Sequence, residues 1–256
     1  MTDAAASHPS VDLHGRVAIV TGGGRGIGRA IALGYAAAGA DVVIGVARNP
    51  AEAEDVVAAG ERLPGSIQAV QADVTCQTEV DRLVESALAI DGRIDVLVNN
   101  AARGMRFVNE RFMTVPAPFW DADPEAWRMV IETNIVGVFL MSRAVVLHML
   151  SAGHGSIINV TINHETMVRR GFSPYGPSKA ALEAMTQAWA QELEGSGVHI
   201  NLLAPGGATA TGMVPEGAPP QLKLLAPEIV VAPALHLALA QTSGQRILGT
   251  EWQAQG

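Results

Sequence analysis

The chain is poor in cysteine, in charge and in aromatic side chains. One of its 256 residues is a cysteine, Cys76, which excludes an intrachain disulfide. Only 16% of the residues are charged and 4% are aromatic, whereas 48% are hydrophobic, so the composition predicts a well-cored globular protein. The net charge of -8 argues against a nucleic-acid-binding surface.

The sequence also lacks the features of targeting and membrane-spanning segments. No apolar run reaches the length of a membrane span, and residues 1–10 lack the basic start and apolar core of a signal peptide. We therefore expect a cytoplasmic protein without a membrane partner. Residues 1–12 are predicted to form a flexible tail, and residues 13–256 a single domain.

A glycine-rich turn follows the first predicted strand. Residues 17–20 are small or branched and apolar, which is typical of a strand buried on both faces. Five glycines then occur within residues 22–28, and helical spacing begins at Ile27. Glycines let the backbone approach a ligand closely, and the N-terminus of a helix favours an anion such as a pyrophosphate. The strand, turn and helix together predict a dinucleotide site.

Strands and helices alternate along the rest of the chain. The further predicted strands are residues 41–46, 67–72, 93–98, 156–160, 198–203 and 246–249, and the predicted helices include residues 51–63, 77–90, 124–150, 175–193 and 227–240. Residues 161–172 are predicted to be a loop. Alternation with short, right-handed connections predicts an α/β fold, a doubly wound parallel sheet with helices on both faces.

The end of the second predicted strand bears on the choice of nucleotide. An acidic residue there holds the ribose 2′-hydroxyl of NAD, whereas an arginine pairs with the 2′-phosphate of NADP. No acid occurs at residues 46–48, but Arg48 does, and Arg25 in the turn is a second candidate. The pattern favours NADP(H), with NAD(H) as the alternative. Asp73 is either the partner of an adenine amino group or a cap for the helix 77–90.

Two segments break the alternation, and we place both on the substrate side of the site. Residues 103–123 are rich in large apolar side chains and are predicted to form a flap over a substrate with a hydrophobic part. An oligomer contact is the alternative. Residues 208–224 form a second candidate lid. Four arginines flank these segments and either pair with a substrate carboxylate or are simply solvated: Arg103, Arg106, Arg169 and Arg170.

Tyr175 and Lys179 are four residues apart at the start of a predicted helix, so both side chains project from one face. An ammonium group stabilises a neighbouring phenolate, and we expect Lys179 to lower the pKa of Tyr175. That shift would suit the tyrosine to proton transfer. An ordinary surface pair is the alternative. Asn134 lies in an apolar helix, where a buried amide needs partners and often marks a kink or a held water.

These motifs, in this order and spacing, resemble the short-chain dehydrogenase/reductase superfamily over residues 13–252. The resemblance is carried by Thr21–Gly28, Asp73–Val74, Asn99–Ala101, Asn134, Tyr175 with Lys179, and Pro205–Gly206. It implies a single Rossmann-like domain of about seven parallel strands that binds a nicotinamide cofactor and forms a homodimer or homotetramer. It also implies an oxidoreductase that interconverts a small-molecule ketone and a secondary alcohol.

The resemblance assigns roles to individual residues. Tyr175 would be the proton donor, Lys179 would bind the nicotinamide ribose and depress the tyrosine pKa, and Asn134 would hold a relay water. The segment after Pro205 would meet the nicotinamide carboxamide. The predicted cofactor-binding residues are Gly22, Gly24, Arg25, Gly26, Ile27, Gly28, Arg48, Asp73, Val74, Asn100, Ala101, Tyr175, Lys179, Pro205, Gly206 and Ala208.

One position departs from the family pattern. A serine that orients the substrate oxygen is expected thirteen residues before the tyrosine, and here that residue is Ile162. The role is either absent or taken by Thr161, Asn163 or His164, and we include Thr161 among the predicted catalytic residues. The departure motivates an alternative function, a nucleotide-binding homologue that no longer turns over and acts as a redox sensor or regulatory subunit.

Overall fold

The computed structural model of the chain describes residues 11–215 and 218–252, so most of the predicted N-terminal tail lies outside the described residues. Seven parallel strands form one sheet in the order β3-β2-β1-β4-β5-β6-β7. Their bounds are β1 Val17–Thr21, β2 Asp41–Val46, β3 Ser66–Gln71, β4 Val96–Asn99, β5 Gly155–Val160, β6 Val198–Ala204 and β7 Arg246–Leu248. The predicted doubly wound α/β fold is confirmed.

Helices connect the strands. Their bounds are α1 Gly26–Ala37, α2 Pro50–Gly60, α3 Gln77–Asp91, α4 Pro124–Ile131, α5 Gly137–Ala152, α6 His164–Met167, α7 Tyr175–Glu192 and α8 Val231–Ala238. The short helix α6 lies in the stretch that we expected to be a loop. β4 begins at Val96 rather than at residue 93, and Arg93 and Asp95, which precede it, form an ion pair.

The core has two layers, one on each face of the sheet. On one face, α1 and α8 cover the central strands through side chains such as Ile31, Tyr35 and Leu237, all fully buried. On the other face, α3 and α5 cover the same strands through Leu83 and Met141. The predicted continuous apolar pattern of the central strands follows from this arrangement, because both faces of each central strand are covered.

One long helix has the length and mean hydropathy of a membrane-spanning segment, although charged residues interrupt its apolar sequence. α4, a π-helical turn at Glu132–Val136 and α5 form a continuous helix, Pro124–Ala152, with a mean hydropathy of 1.8 in its most apolar window. By length and composition alone it is able to cross a membrane. The helix packs on the sheet through Met141, Val145 and Met149, which are fully buried, so part of its apolar surface belongs to the domain core.

Candidate active site

The turn between β1 and α1 forms a cradle that only glycine permits. Gly22 and Gly26 have φ angles of 64° and 52°, in the left-handed region that favours glycine. A Cβ atom at Gly28 would lie 2.3 Å from the carbonyl oxygen of Gly22. The turn opens onto a cavity of about 680 Å³ lined by Gly22, Gly24 and Gly26. A close backbone approach beside a helix N-terminus fits a pyrophosphate group.

Thr21 joins the ends of β1 and β4, where the order of strands along the chain reverses direction. Its hydroxyl donates to the carbonyl oxygen of Val98 (3.2 Å) and accepts from the backbone N–H groups of Asn100 and Ala101, each at 3.0 Å. The side-chain amide of Asn100 donates to the carbonyl oxygens of Thr21 and Gly22. This edge is the switch point at which doubly wound sheets bind ligands.

Charged side chains line the larger cavity, where the adenosine part of a dinucleotide would lie if its pyrophosphate bound the glycine cradle. The cavity is lined by four arginines and three carboxylates: Arg25, Arg48, Arg103, Arg106, Glu52, Asp73 and Glu110. Arg25 lies 3.3 Å from Glu52, whereas Arg48 and Arg103 lie against the ring of Phe107, at 5.1 and 5.7 Å from its centroid. Arg103 was expected on the substrate side and instead lines the nucleotide cavity.

Asp73 does not cap the helix that follows it. Its Oδ1 accepts from the backbone N–H and the hydroxyl of Thr75 at 3.0 and 2.7 Å, and the N-cap of α3 is Cys76, whose side chain makes no capping hydrogen bond. Burial raises the pKa of Asp73, but the Thr75 hydrogen bonds and the charges of Arg103 and Arg48 outweigh it and hold this pKa below its ordinary value. A charged carboxylate therefore lies in the nucleotide cavity, beside Val74.

A second, smaller cavity of about 180 Å³ adjoins the first. Tyr175 and Lys179 lie in its wall, together with apolar side chains from the predicted flap and the loop before α7, which are Met105, Phe112, Met113 and Phe172. The two cavities share several wall residues: Ile27, Asn100, Ala102, Gly104, Thr211 and Met213. The flap of residues 103–123 therefore contributes to both cavities, not to the substrate side alone.

Tyr175 and Lys179 line the same cavity, but the pKa shift of Tyr175 differs from the expectation. The Nζ atom of Lys179 donates to the carbonyl oxygen of Val160 at 2.8 Å, and the Tyr175 hydroxyl faces the Sδ atom of Met213 at 3.9 Å. Burial raises the pKa of Tyr175 to about 12 and lowers the pKa of Lys179 to about 8. The predicted lowering of the tyrosine pKa is wrong here, because desolvation of the phenolate dominates.

Asn134 lies in the π-helical turn between α4 and α5, so the predicted kink is present as a widened turn. Its side chain is fully buried. Oδ1 accepts from the backbone N–H of Arg103 at 2.8 Å, and Nδ2 donates to the Arg103 carbonyl oxygen and the Ser178 hydroxyl, each at 3.0 Å. The side chain thus anchors the first residue of the flap to the helices, and a relay water at Asn134 stays a prediction.

Glu183 organises the segment around Ile162, and sequence reasoning missed it. One carboxylate oxygen accepts from the Thr161 hydroxyl at 2.9 Å and from Nε of Arg246 at 3.0 Å. The other lies 3.0 Å from Nε2 of His164. Arg246 also donates to the carbonyl oxygen of Ile162 at 2.6 Å. The acid, the arginine and the loop are far apart in sequence, so no local pattern indicated the cluster.

Asn163 is the third candidate for the missing serine. Its Nδ2 donates to the carbonyl oxygen of Gly206 at 2.9 Å, and its side chain lines the smaller cavity. Its Oδ1 is buried without a hydrogen-bond partner among the described residues. Glu183 engages the Thr161 hydroxyl and Nε2 of His164, and the unpartnered atom of Asn163 is an oxygen that can only accept a hydrogen bond.

The remaining predicted residues are divided between the two cavities. Pro205 and Ala208 line the smaller one, whereas Gly206 reaches it only through its hydrogen bond to Asn163. Arg169 lines the same cavity with its guanidinium over the ring of Phe172. Arg106 lines the nucleotide cavity and donates to the carbonyl oxygen of Gly212. Ile27 and Ala101 lie in the nucleotide cavity wall as predicted.

The parallel sheet, the glycine cradle at its switch point and the adjoining tyrosine–lysine cavity define an α/β oxidoreductase domain of the Rossmann type. Residues 16–221 match the family described as short chain dehydrogenase. The chain belongs to the short-chain dehydrogenase/reductase family, whose oxidoreductases interconvert CH–OH and C=O groups.

Relatives within this family differ in substrate. The chain is 40% identical over 194 residues to the 3-oxoacyl-[acyl-carrier-protein] reductase of Synechocystis sp., covering 76% of this chain and 74% of that one. It resembles a solved 7α-hydroxysteroid dehydrogenase complexed with NADH and 7-oxo glycochenodeoxycholic acid, with a TM-score of 0.82, 30% identity, and 93% and 94% of the two chains covered. It also resembles a protein from Beutenbergia cavernae with bound NADP, assigned as a gluconate 5-dehydrogenase, with a TM-score of 0.76, 32% identity, and 94% and 97% covered.

Proposed function

We propose that this protein interconverts a ketone and a secondary alcohol with NADP(H) as its cofactor. The observation that carries the proposal is the position of Tyr175, partly buried in the wall of a cavity that adjoins the nucleotide cradle. The other walls of this cavity are largely apolar, which suits a substrate with a hydrophobic part.

The chain's own residues fit a dinucleotide. The glycine cradle would take the pyrophosphate, Asp73 and Val74 the adenine, and Arg25 and Arg48 the 2′-phosphate. When bound, the cofactor supplies a hydride to the carbonyl carbon in reduction or accepts one from the alcohol. The remaining contacts, to the riboses and the carboxamide, are assigned to Asn100, Ala101, Lys179, Pro205, Gly206 and Ala208.

Tyr175 moves the proton in this proposal. With a pKa of about 12, its phenol keeps its proton at neutral pH and can donate it to the carbonyl oxygen as the new C–H bond forms. In the reverse direction the phenolate takes the proton of the alcohol. Lys179, with a pKa of about 8, is mostly charged at pH 7, and its ammonium group would stabilise the phenolate at the moment of transfer.

The preference for NADP(H) is supported by the charges beside β2. Among the described residues, Arg48 makes no hydrogen bond or ion pair and has only the Phe107 ring against its guanidinium. The residues that end β2 and follow it, Val46 and Ala47, offer no carboxylate to a ribose 2′-hydroxyl. An unpaired guanidinium at this place suits a phosphate better than a hydroxyl. NAD(H) is the alternative.

A catalytically impaired homologue that acts as a redox sensor or regulatory subunit is the second candidate. It is favoured by Ile162, which lines the smaller cavity without a hydrogen-bond donor, and by Thr161, whose hydroxyl is spent on Glu183. Loss of one such donor typically costs about 10²–10³ in turnover, which leaves measurable catalysis. The partly buried Tyr175 and the buried Lys179 in the wall of one cavity therefore favour the enzyme.

The predicted location and assembly remain proposals. A cytoplasmic homodimer or homotetramer is consistent with the exposed apolar side chains of α5, which include Phe139, Leu147 and Leu150. Sedimentation of wild type and Leu147→Glu would test whether this face joins copies of the chain.

The proposed activity is tested by following nicotinamide absorbance with NADPH or NADH and a panel of hydrophobic ketones, and with the corresponding alcohols and oxidised cofactors. We expect turnover with NADPH that falls by about 10²–10⁴ in Tyr175→Phe while nucleotide binding is retained. Ile162→Ser should raise turnover if the missing hydroxyl limits the rate. Nucleotide binding without turnover across the panel would favour the sensor.

A further inference from the structure

Arg103 occupies a place that neither the glycine cradle nor the substrate cavity explains. Its side chain is only 16% exposed and lines the nucleotide cavity. Its guanidinium carries five N–H donors, yet none of them makes a hydrogen bond to the part of the chain that the structure describes. The nearest acid is Asp73, whose Oδ2 forms an ion pair with the guanidinium at 3.6 Å but is beyond hydrogen-bonding distance.

The backbone of Arg103 is held rigidly. The buried side chain of Asn134 accepts from its N–H at 2.8 Å and donates to its carbonyl oxygen at 3.0 Å. Asn134 itself is anchored by its hydrogen bond to Ser178 on α7. Because these hydrogen bonds fix the main chain, only the side chain of Arg103 remains to be ordered when a ligand binds.

A second guanidinium faces the same place. Arg48, at the end of β2, and Arg103 both lie against the ring of Phe107, at 5.1 and 5.7 Å from its centroid. The negative face of an aromatic ring holds the cations in place but neutralises neither of them. Burial and the charge of Arg48 lower the pKa of Arg103, and the charge of Asp73 raises it but does not outweigh them, so the positive charge of the pair is incompletely compensated.

Asp73 does not cancel both charges. Its Oδ1 is occupied by the N–H and hydroxyl of Thr75, which leaves Oδ2 to face Arg103. Arg25 is turned toward Glu52, and Arg106 toward the carbonyl oxygen of Gly212. Of the four arginines in this cavity, Arg48 and Arg103 therefore have guanidiniums without a hydrogen-bonded partner among the described residues.

We propose that Arg103 is a specificity-determining residue of the nucleotide site that binds the 2′-phosphate of NADP(H) jointly with Arg48. The inference rests on the proposed NADP(H) function and extends it to a residue of the flap. A dianionic phosphate accepts hydrogen bonds from two guanidiniums and removes their mutual repulsion. Asn134 acts here as a positioning residue, because it fixes the backbone from which Arg103 reaches the phosphate.

The test compares two probes that differ only in that phosphate, 2′,5′-ADP and 5′-AMP, by calorimetric titration of the full chain. Arg103→Met removes the charge and keeps most of the stem. We expect this variant to bind 2′,5′-ADP about tenfold or more weakly than wild type and 5′-AMP less than about threefold more weakly. Arg103→Lys should recover part of the loss. Arg128→Met, on the exposed face of α4, removes an equal charge remote from the cavity and should change neither affinity.

The possible outcomes distinguish failure of the inference about Arg103 from failure of the proposed NADP(H) preference. If wild type binds both probes equally, the NADP(H) preference fails and the inference fails with it. If wild type prefers 2′,5′-ADP and Arg48→Met removes that preference while Arg103→Met leaves it, the NADP(H) preference stands and the role of Arg103 is overturned. A double variant of Arg48 and Arg103 that loses no more discrimination than either single variant supports one shared phosphate site. Circular dichroism checks that each variant is folded.

Discussion

The hydroxyl of Tyr175 lies 3.9 Å from the thioether sulfur of Met213, so the proposed proton donor faces a side chain of the second lid. Met213 lines both cavities. A thioether is a weak hydrogen-bond acceptor, so a substrate carbonyl would replace it as the partner of the tyrosine hydroxyl. This side chain therefore bounds the space beside the proposed reacting group.

Truncating Met213 should change which ketones are reduced. Met213→Ala removes the side chain beside the tyrosine, and we expect the ratio of kcat/KM for a bulky ketone to that for a small ketone to rise about tenfold. Initial rates with paired substrates measure it. Met129→Ala, on the half-exposed face of α4, is the matched control and should leave the ratio unchanged. An unchanged ratio in Met213→Ala would show that the lid does not limit substrate size.

The stability of the protein should rise with pH above neutrality because of Lys179. Burial lowers its folded pKa to about 8 from 10.5, so between these values the unfolded chain binds a proton that the folded chain does not. The free energy of unfolding should increase by about 1 kcal/mol from pH 8 to pH 9 through this group. Urea unfolding of wild type and Lys179→Met measures it.

The control for this pH effect is the Lys179→Met variant. In Lys179→Met the increase between pH 8 and pH 9 should be absent. The buried phenol of Tyr175 acts in the opposite direction at higher pH: its folded pKa is raised to about 12 from 10.0, so its contribution to stability is lost above pH 10. Equal pH profiles for the two proteins would contradict the assigned burial of the ammonium group.

Removing Glu183 should destabilise the protein strongly. Glu183→Ala leaves the mostly buried guanidinium of Arg246 without its carboxylate and costs about 3 kcal/mol. Thermal unfolding should show a lower midpoint. Glu125→Ala breaks an exposed ion pair with Arg128 and should cost less than about 1 kcal/mol. If both variants lose the same small amount, the cluster at the end of β5 does not hold the loop in place.

A methyl group at Gly28 should weaken nucleotide binding. The Cβ atom of Gly28→Ala would meet the carbonyl oxygen of Gly22 at 2.3 Å and deform the cradle, and we expect affinity for NADPH to fall at least about tenfold. Gly92→Ala is the comparison, since Gly92 has a φ of 66° but nothing within 4 Å of an added Cβ. It should cost about 1 kcal/mol of stability and spare binding. Fluorescence titration separates the two.

The local patterns of the chain were sufficient for the sheet and the cradle. Alternation of apolar runs and amphipathic helices predicted the seven parallel strands, because each element buries a face that its own sequence displays. The glycine cradle could also be predicted, because its glycines lie in the sequence directly between the strand and the helix that they join.

The site needed information that no local pattern holds. Arg103 looks like a loop arginine in sequence, and only the folded chain places it beside Arg48 and Asp73. The direction of the Tyr175 pKa depends on burial by the flap and lid, so the four-residue spacing to Lys179 predicted the wrong sign. Glu183 and Arg246 meet across 63 residues of chain.

The two cavities share part of their walls, which bears on the order in which cofactor and substrate bind. Gly104 and Met213 line both spaces, so a nucleotide in the larger cavity completes the wall of the smaller one. On the proposed function, we therefore expect the nucleotide to bind before the ketone and to leave last. Steady-state kinetics should accordingly show the oxidised cofactor as a competitive inhibitor toward the reduced one and a noncompetitive inhibitor toward the ketone.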